Sequence, residues 1–315
     1  MSTAVQASIQ PVARAGRAPH PSFAGAVRAE LLKIRRQRAN LVMLGVGAIG
    51  FGILMLTLAM TGSMRTELSA AVVRTHGGVV STGPVAFFYH VLEALLGTFQ
   101  AGAGIALLII SARLVAMEYS AGTIRILLSR GFGRLHLLGA KLVGLALVGV
   151  AMLIAFMVLA VISITSVILA WGDSATWYTA LPASAWHDLE LALLTALISI
   201  GACILVGVTA GVVGRSLAFG LGAAMAFFPA DNFATGILSL LATVTHNKVW
   251  AGASAYLLGP NLNQLPHELV GRIGGVGQGP VVPVDATHCL IVIGTFAAGF
   301  LAVCGFLTWR RDVLE

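Results

Sequence analysis

Residues 142–170 read LVGLALVGVAMLIAFMVLAVISITSVILA, without one charged side chain. A helix needs about 20 apolar residues to cross the roughly 30 Å of hydrocarbon in a bilayer. This stretch exceeds that length, so it is long enough to cross in a tilted helix. A hydrophobic run of this length indicates a membrane protein built from helices.

Five further apolar segments flank this stretch. Each is long enough to cross a bilayer as a helix. The fifth span in chain order, 217–245, is interrupted by Pro229, which predicts a kink. We therefore predict an all-α membrane protein with six transmembrane helices, at 41–60, 84–111, 142–170, 189–213, 217–245 and 286–309.

The overall composition supports the same class. Hydrophobic residues make up 58% of the 315 residues and charged residues only 10%, whereas soluble domains carry about 25% charged residues. The net charge of +7 comes from basic residues beside the apolar spans. This pattern favours membrane lipid with anionic headgroups as a partner and excludes nucleic acid.

The Lys and Arg residues are distributed unevenly between the two sides. Segments that carry many basic residues stay in the cytoplasm. Only Arg65, Arg74, Lys248 and Arg272 fall on the predicted outer side. We predict a multi-pass protein of the cell (plasma or inner) membrane with both termini cytoplasmic. The fifteen basic residues of the inner side are Arg14, Arg17, Arg28, Lys33, Arg35, Arg36, Arg38, Arg113, Arg125, Arg130, Arg134, Lys141, Arg215, Arg310 and Arg311.

The segments outside the spans divide the chain further. Residues 1–21 are rich in Ala, Arg, Ser and Pro, and we expect a disordered cytoplasmic tail. Residues 22–38 place Phe23, Val27, Leu31 and Ile34 at helical spacing among basic residues. This pattern predicts an amphipathic interfacial helix on the inner leaflet. The six-span transmembrane domain then occupies 39–315, with a cytoplasmic loop at 113–141.

The predicted external loop, 246–285, is rich in proline and glycine. We expect an irregular structure there, with one short helix around 249–258. Residues 274–279 read GGVGQG, which is similar to a nucleotide-binding turn. We reject that interpretation because no predicted strand precedes the turn and no helix follows it directly.

The predicted cytoplasmic loop contains a pattern typical of a helix end followed by a short amphipathic helix. Residues 118–134 read EYSAGTIRILLSRGFGR. Gly122 can end the helix that extends from the second span, and Thr123 can cap a short second helix. Ile124, Leu127 and Leu128 would form the apolar face of that helix. Its polar face would consist of Arg125, Ser129 and Arg130. A short amphipathic helix of this kind can dock into a groove of a partner protein.

This loop resembles that of ABC-2 type permeases, the membrane subunits of one class of ATP-binding-cassette exporters. Lys141 follows the loop, as a lysine commonly does in that family. The run AELLK at 29–33, the six predicted spans and the closing WRRD at 309–312 also look like the family. The resemblance implies a coupling helix that transmits movement from an ATPase. The residues it implies for ATPase coupling are Glu118, Gly122, Thr123, Ile124, Arg125, Leu127, Leu128, Arg130 and Arg134.

The chain has no phosphate-binding loop of the form Gly-x-x-x-x-Gly-Lys-Ser/Thr. The nearest fragment, at 139–141, lacks the loop and the hydroxyl residue. We expect no cofactor in this chain and no enzymatic activity of its own. The resemblance implies that a separate ATP-binding-cassette ATPase subunit binds ATP and Mg. It also implies that the permease pairs as a homodimer, or as a heterodimer with a related permease.

Ionisable side chains inside the spans cost roughly 2.5–3.5 kcal/mol each on insertion scales, so each invites a functional interpretation. Asp231, beside Asn232 and after Pro229, is a candidate for the pathway or a hinge. The alternative is that its carboxylate binds backbone left unpaired by the proline. His90 and Glu93 lie one turn apart on the second span, either lining a cavity or forming a structural pair. Asp188 and Glu190 are expected to complement the N-terminus of the fourth span.

Gly207 and Gly211 are four residues apart in the fourth span. Such a pair lets another helix approach closely, within the chain or across a dimer. We interpret both as helix-packing positions.

We predict a transmembrane permease subunit of an ATP-driven exporter, which forms the translocation pathway and couples to a separate ATPase. One alternative is an ion-coupled secondary carrier, with Asp231 and Glu93 as coupling groups, although no internal repeat supports it. Another is a polytopic membrane enzyme. No catalytic or metal-binding cluster is evident in the sequence, because His246, His267 and His288 are scattered.

Overall fold

The computed structural model describes residues 22–38, 73–76, 79–123, 133–171 and 176–310. It also describes residues 40, 42, 45, 47, 49–53 and 55, each of them helical. The tail 1–21 and the docking helix expected at 124–130 lie outside the described residues. So does most of the first predicted span.

The described part of the chain is mainly helical, with one small hairpin. The hairpin was not predicted and pairs two antiparallel strands, with Val73 opposite Thr82. The elements are α1 (Phe23–Arg36), β1 (Val73–His76), β2 (Val79–Thr82), α2 (Gly83–Ser120), α3 (Arg134–Ala170), a 3₁₀ turn (Trp177–Ala180), α4 (Ala183–Gly214), α5 (Leu217–Thr245), α6 (Lys248–Ser254), α7 (Leu258–Val270) and α8 (Ala286–Arg310).

Five of these helices, α2, α3, α4, α5 and α8, are long and apolar enough to cross a membrane. They correspond to five of the six predicted spans and indicate a multi-pass membrane protein. The remaining predicted span, at 41–60, is the first in chain order and stays a prediction. Phe51 and Met55 in this segment are buried together with side chains of α2 and α3. Helix α5 continues as one helix through Pro229.

Helix α2 is longer than the span predicted at 84–111. It continues to Ser120, and 38 residues at 1.5 Å per residue make a rod of roughly 57 Å. This length exceeds the hydrocarbon thickness. The last turns of α2 therefore extend beyond the apolar layer, toward the cytoplasmic loop in the predicted orientation.

Helix α1 begins at an N-cap, Ser22, whose hydroxyl accepts a hydrogen bond from the Gly25 N–H at 3.1 Å. Its contacts differ from the expectation that its apolar stripe faces lipid. Val27 and Ile34 are buried inside the protein, because the helix packs along α3. The location of α1 on a membrane surface stays a prediction.

Residues 246–285, which we call the external segment after their predicted location, contain two helices, so the expectation of a single short helix was wrong. Helix α6 covers most of the predicted one, and α7 follows it. Pro260 stands in the first turn of α7, where its missing N–H costs no hydrogen bond. The helix ends at Gly271, which has a positive φ of 69°.

Candidate functional site

Four charged side chains meet where α1, α2 and α3 come together. We call Glu30, Lys33, Glu118 and Lys141 the cytoplasmic charge cluster, after the side of the membrane that the sequence predicts for them. Lys33 Nζ lies 2.8 Å from Glu30 Oε1 and 2.7 Å from Glu118 Oε1. Lys141 Nζ lies 2.7 Å from Glu118 Oε1 and 3.2 Å from Glu30 Oε2. Each lysine thus bridges both carboxylates, and the cluster links three helices.

The cluster is electrically neutral and largely removed from solvent. The side chains of Glu30, Lys141 and Glu118 are only 4%, 6% and 10% exposed, and Lys33 is 38% exposed. Burial acts to lower the pKa of Lys33, but the hydrogen bonds that its ammonium donates to Glu118 and Glu30 outweigh burial and raise that pKa above its ordinary value. Lys33 therefore stays protonated at neutral pH. Buried ions need a partner of opposite charge, because an unpaired one is costly.

The start of the predicted cytoplasmic loop adjoins this cluster. Gly122, two residues after the last residue of α2, has a positive φ of 65°, which fits the helix-ending role predicted for it. The Thr123 hydroxyl donates to the Glu118 carbonyl oxygen at 3.4 Å. Ile124, Arg125, Leu127, Leu128 and Arg130 lie outside the described residues. Beyond them, Arg134 Nη1 donates to the Trp309 carbonyl oxygen at 3.1 Å and connects α3 to the end of α8.

Asp231 is the middle residue of α5, and its carboxylate accepts a hydrogen bond from the Gly259 N–H. Gly259 lies in the first turn of α7, where backbone N–H groups have no partner within the helix. The N-cap residue of α7, Leu257, provides no side-chain cap. Asp231 therefore caps α7 from a neighbouring helix, and its negative charge stabilises the positive end of the α7 dipole. The sequence analysis gave as one alternative that the Asp231 carboxylate binds backbone left unpaired by Pro229. The carboxylate does bind backbone, but that backbone belongs to α7.

The capping role leads to a prediction for two substitutions. Asp231→Leu removes the acceptor and leaves a buried N–H unpaired, so we expect the free energy of unfolding to fall by about 1–2 kcal/mol. Asp231→Asn keeps an acceptor oxygen and should lose less than half of that. Unfolding of the detergent-solubilised variants measures both. An Asn variant as unstable as the Leu variant would contradict the capping role.

The other candidate residues for the pathway or hinge differ in burial and in hydrogen bonding. The Thr235 hydroxyl donates to the Asp231 carbonyl oxygen at 3.0 Å, one turn further along α5. Pro229 is exposed, and Asn232 is half-buried. On α2, His90 is half-buried one turn before Glu93. Asp231 and Glu93 each accept a hydrogen bond from a backbone N–H of the external segment.

Glu93 accepts a hydrogen bond from the Gly274 N–H at 3.2 Å. It therefore binds the glycine-rich run that follows α7. The same run passes over Gly97, where an added Cβ would lie 3.5 Å from Val276 Cγ1. The external segment is thus packed against α2 at two successive turns.

A polar cluster that the sequence analysis missed lies beside this contact. The Tyr89 hydroxyl donates to Asp188 Oδ2 at 2.5 Å. Arg272 Nη1 lies 2.6 Å from the Tyr89 hydroxyl oxygen, 3.0 Å from Ser184 Oγ and 3.2 Å from Asp188 Oδ2. Asp188 therefore binds partners on two other segments, in addition to its place near the start of α4. One feature of the sequence could have indicated this cluster: Arg272 is one of only four basic residues on the predicted external side.

The two packing glycines of α4 lie against α2. A Cβ on Gly207 would overlap Ser111 Oγ and lie 2.9 Å from the Leu108 carbonyl oxygen. A Cβ on Gly211 would lie 2.9 Å from Val115 Cβ. The absence of side chains at both positions lets α2 and α4 approach closely within one chain.

Within the described ranges, no three or more His, Cys, Asp and Glu side chains are grouped so that they could hold a metal ion. The three cysteines, Cys203, Cys289 and Cys304, are buried thiols. Comparison of the chain with family models, with curated proteins and with solved structures finds no match.

Proposed function

We propose that this chain is the membrane subunit of an ATP-driven exporter of the ABC-2 permease type. It would form the translocation pathway together with a second copy or a related permease. A separate ATP-binding-cassette ATPase would bind ATP and Mg and would dock on the cytoplasmic loop. The cell membrane, with both termini in the cytoplasm and anionic lipid around α1, is part of this proposal.

The observation that carries the proposal is the cytoplasmic charge cluster. Its four residues come from the run AELLK, from the start of the 118–134 pattern and from the lysine that follows it. These are three of the segments on which the resemblance depends. The cluster fixes the ends of α1, α2 and α3 to one another beside the loop. A force applied to that loop would therefore reach three helices together, as coupling to an ATPase requires.

The contacts of Asp231 favour an exporter over an ion-coupled carrier. A coupling carboxylate has to bind and release an ion or proton during each cycle. The carboxylate of Asp231 instead accepts the Gly259 N–H and caps α7. Glu93 has a comparable backbone partner in Gly274. Asp231 therefore has a structural use that a carrier mechanism would have to interrupt.

Copurification of the ATPase tests the proposal, with Leu127→Asp as the informative variant. Leu127 belongs to the apolar face predicted for the docking helix, and burying one such side chain contributes on the order of 1.5–3 kcal/mol. We expect a charge there to weaken assembly by more than tenfold, since about 1.4 kcal/mol is a factor of ten. Binding of the purified ATPase to the permease in detergent, measured by titration, gives this ratio.

The matched control is Ser129→Asp, which adds the same charge to the predicted polar face and should leave binding within about twofold. Equal loss in both variants would contradict the orientation of the docking helix. If no ATPase copurifies even with the parental chain, the exporter proposal fails and the ion-coupled carrier takes its place.

A further inference from the structure

We propose that residues 271–279, which we call the strap, form the external gate of the pathway and that Arg272 holds this gate closed. The inference builds on the proposed exporter function and names the segment that must move when cargo leaves. It depends on the contacts of the strap, on its two glycines of positive φ and on the helix to which it is fixed.

Arg272 is the most extensively bonded residue of the strap. One guanidinium nitrogen lies within hydrogen-bond distance of the Tyr89 hydroxyl on α2 and of Ser184 and Asp188 on α4. The guanidinium carbon also lies 5.5 Å from the centre of the Tyr89 ring, a cation–π distance. Through these contacts, one side chain connects the strap to two of the spanning helices.

The residues after Arg272 are buried against, or hydrogen-bonded to, the neighbouring helices. Ile273 is fully buried, and its carbonyl oxygen lies 2.6 Å from His267 Nδ1 on α7. The Gly274 N–H donates to Glu93. The Val276 N–H donates to the Asn263 carbonyl oxygen at 2.9 Å, again on α7. The strap thus contacts α7 and α2 through its backbone, and α2 and α4 through Arg272.

Two glycines allow the strap to change conformation. Gly271, at its start, has a φ of 69°, and Gly277, near its end, has a φ of 99°. Other residues rarely adopt these values, whereas glycine moves between positive and negative φ at little cost. Hinges of mobile segments are a few such positions that absorb large changes in φ and ψ. The glycines of the run therefore suit a segment that opens and closes.

Helix α2 connects this gate to the cytoplasmic side. Tyr89 and Glu93, near its start, hold the strap, and Glu118, near its end, belongs to the cytoplasmic charge cluster. A displacement of the cytoplasmic end of α2 would move both strap anchors, since one continuous helix carries them. Movement of the coupling loop and opening of the strap are therefore linked through a single rigid element.

Solvent access to Ile273 tests the gate. The full chain is reconstituted with its ATPase in proteoliposomes, with Cys203, Cys289 and Cys304 replaced and Ile273→Cys as the only thiol. A membrane-impermeant maleimide is added to the external side. We expect labelling at least tenfold faster in the ATP-plus-vanadate state than without nucleotide. Arg272→Ala, without nucleotide, should raise the rate by a similar factor.

Two controls separate gate opening from loss of structure. Tyr256→Cys, at an exposed external position, should be labelled at one rate in every state. Lys248→Met, at the exposed start of α6 and outside the contacts of the strap given above, should leave the slow rate at Ile273→Cys unchanged.

Equal rates at Ile273→Cys with and without nucleotide, in a complex that still contains the ATPase, would overturn the gate assignment alone. An unchanged rate in Arg272→Ala would overturn the role of Arg272. Failure of the ATPase to copurify would instead remove the proposed function, and the gate assignment would fall with it.

Discussion

Lys141→Met should lower the free energy of unfolding by about 3–5 kcal/mol, because it leaves two buried carboxylates facing each other with only Lys33 between them. Lys141 contacts both Glu30 and Glu118, and its own side chain is only 6% exposed. Methionine has a similar length, so lost packing contributes little to the expected effect. Denaturant unfolding of the purified chain in mixed micelles measures the change.

A second substitution identifies the cause. Glu30→Gln combined with Lys141→Met removes one charge of each sign and restores neutrality. We expect the double variant to be more stable than Lys141→Met alone, with an interaction energy of about 0.5–3 kcal/mol. Lys248→Met, at the exposed start of α6, should change stability by less than about 0.5 kcal/mol. A Lys141→Met variant as stable as this control would show that the cluster contributes nothing to folding.

Gly207→Val should be the second large effect, toward the upper end of the roughly 1–3 kcal/mol that overpacking costs. The added Cβ meets both the Ser111 side chain and the backbone of Leu108. Ser111 is fully buried, and its hydroxyl donates to the Leu107 carbonyl oxygen at 2.6 Å. Neither neighbour can move aside without separating α2 from α4. The same unfolding measurement detects the loss.

Helix α4 provides a matched control for this substitution in Gly201. A Cβ there meets no atom within 4 Å, and the position lines an apolar cavity of about 150 Å³ with Leu258 and Phe300. Alanine in a helix is favoured over glycine by about 0.5–1 kcal/mol. We therefore expect Gly201→Ala to stabilise the protein. Destabilisation by both glycine substitutions would contradict the observed packing of α4.

The spanning helices could be predicted from the sequence because their signal is local. A run of apolar residues predicts a span wherever it occurs, and the predicted span 217–245 has the bounds of α5. Gly122 likewise ends its helix through its own backbone freedom. Helix α7 was missed because proline and glycine normally indicate loops, although Pro260 in a first turn is compatible with a helix.

The polar contacts could not be predicted in the same way, because they join residues far apart in the chain. Tyr89 and Arg272 are 183 residues apart. The partner of Asp231 is a backbone N–H, which gives no sequence signal at all. The sequence therefore pointed to Asp231, Glu93 and Glu118 as unusual residues but did not identify what each of them binds.

The cytoplasmic charge cluster also sets an order of events during synthesis. Lys141 follows Glu30 by 111 residues, and translation at about 5–20 residues per second separates their appearance by roughly 5–20 seconds. During that interval Glu30 and Lys33, one turn apart on α1, can neutralise each other. Helix α1 reaches its final position only after the start of α3 has been made. Helix α1 is thus synthesised before the residue of α3 that completes its charge pairing.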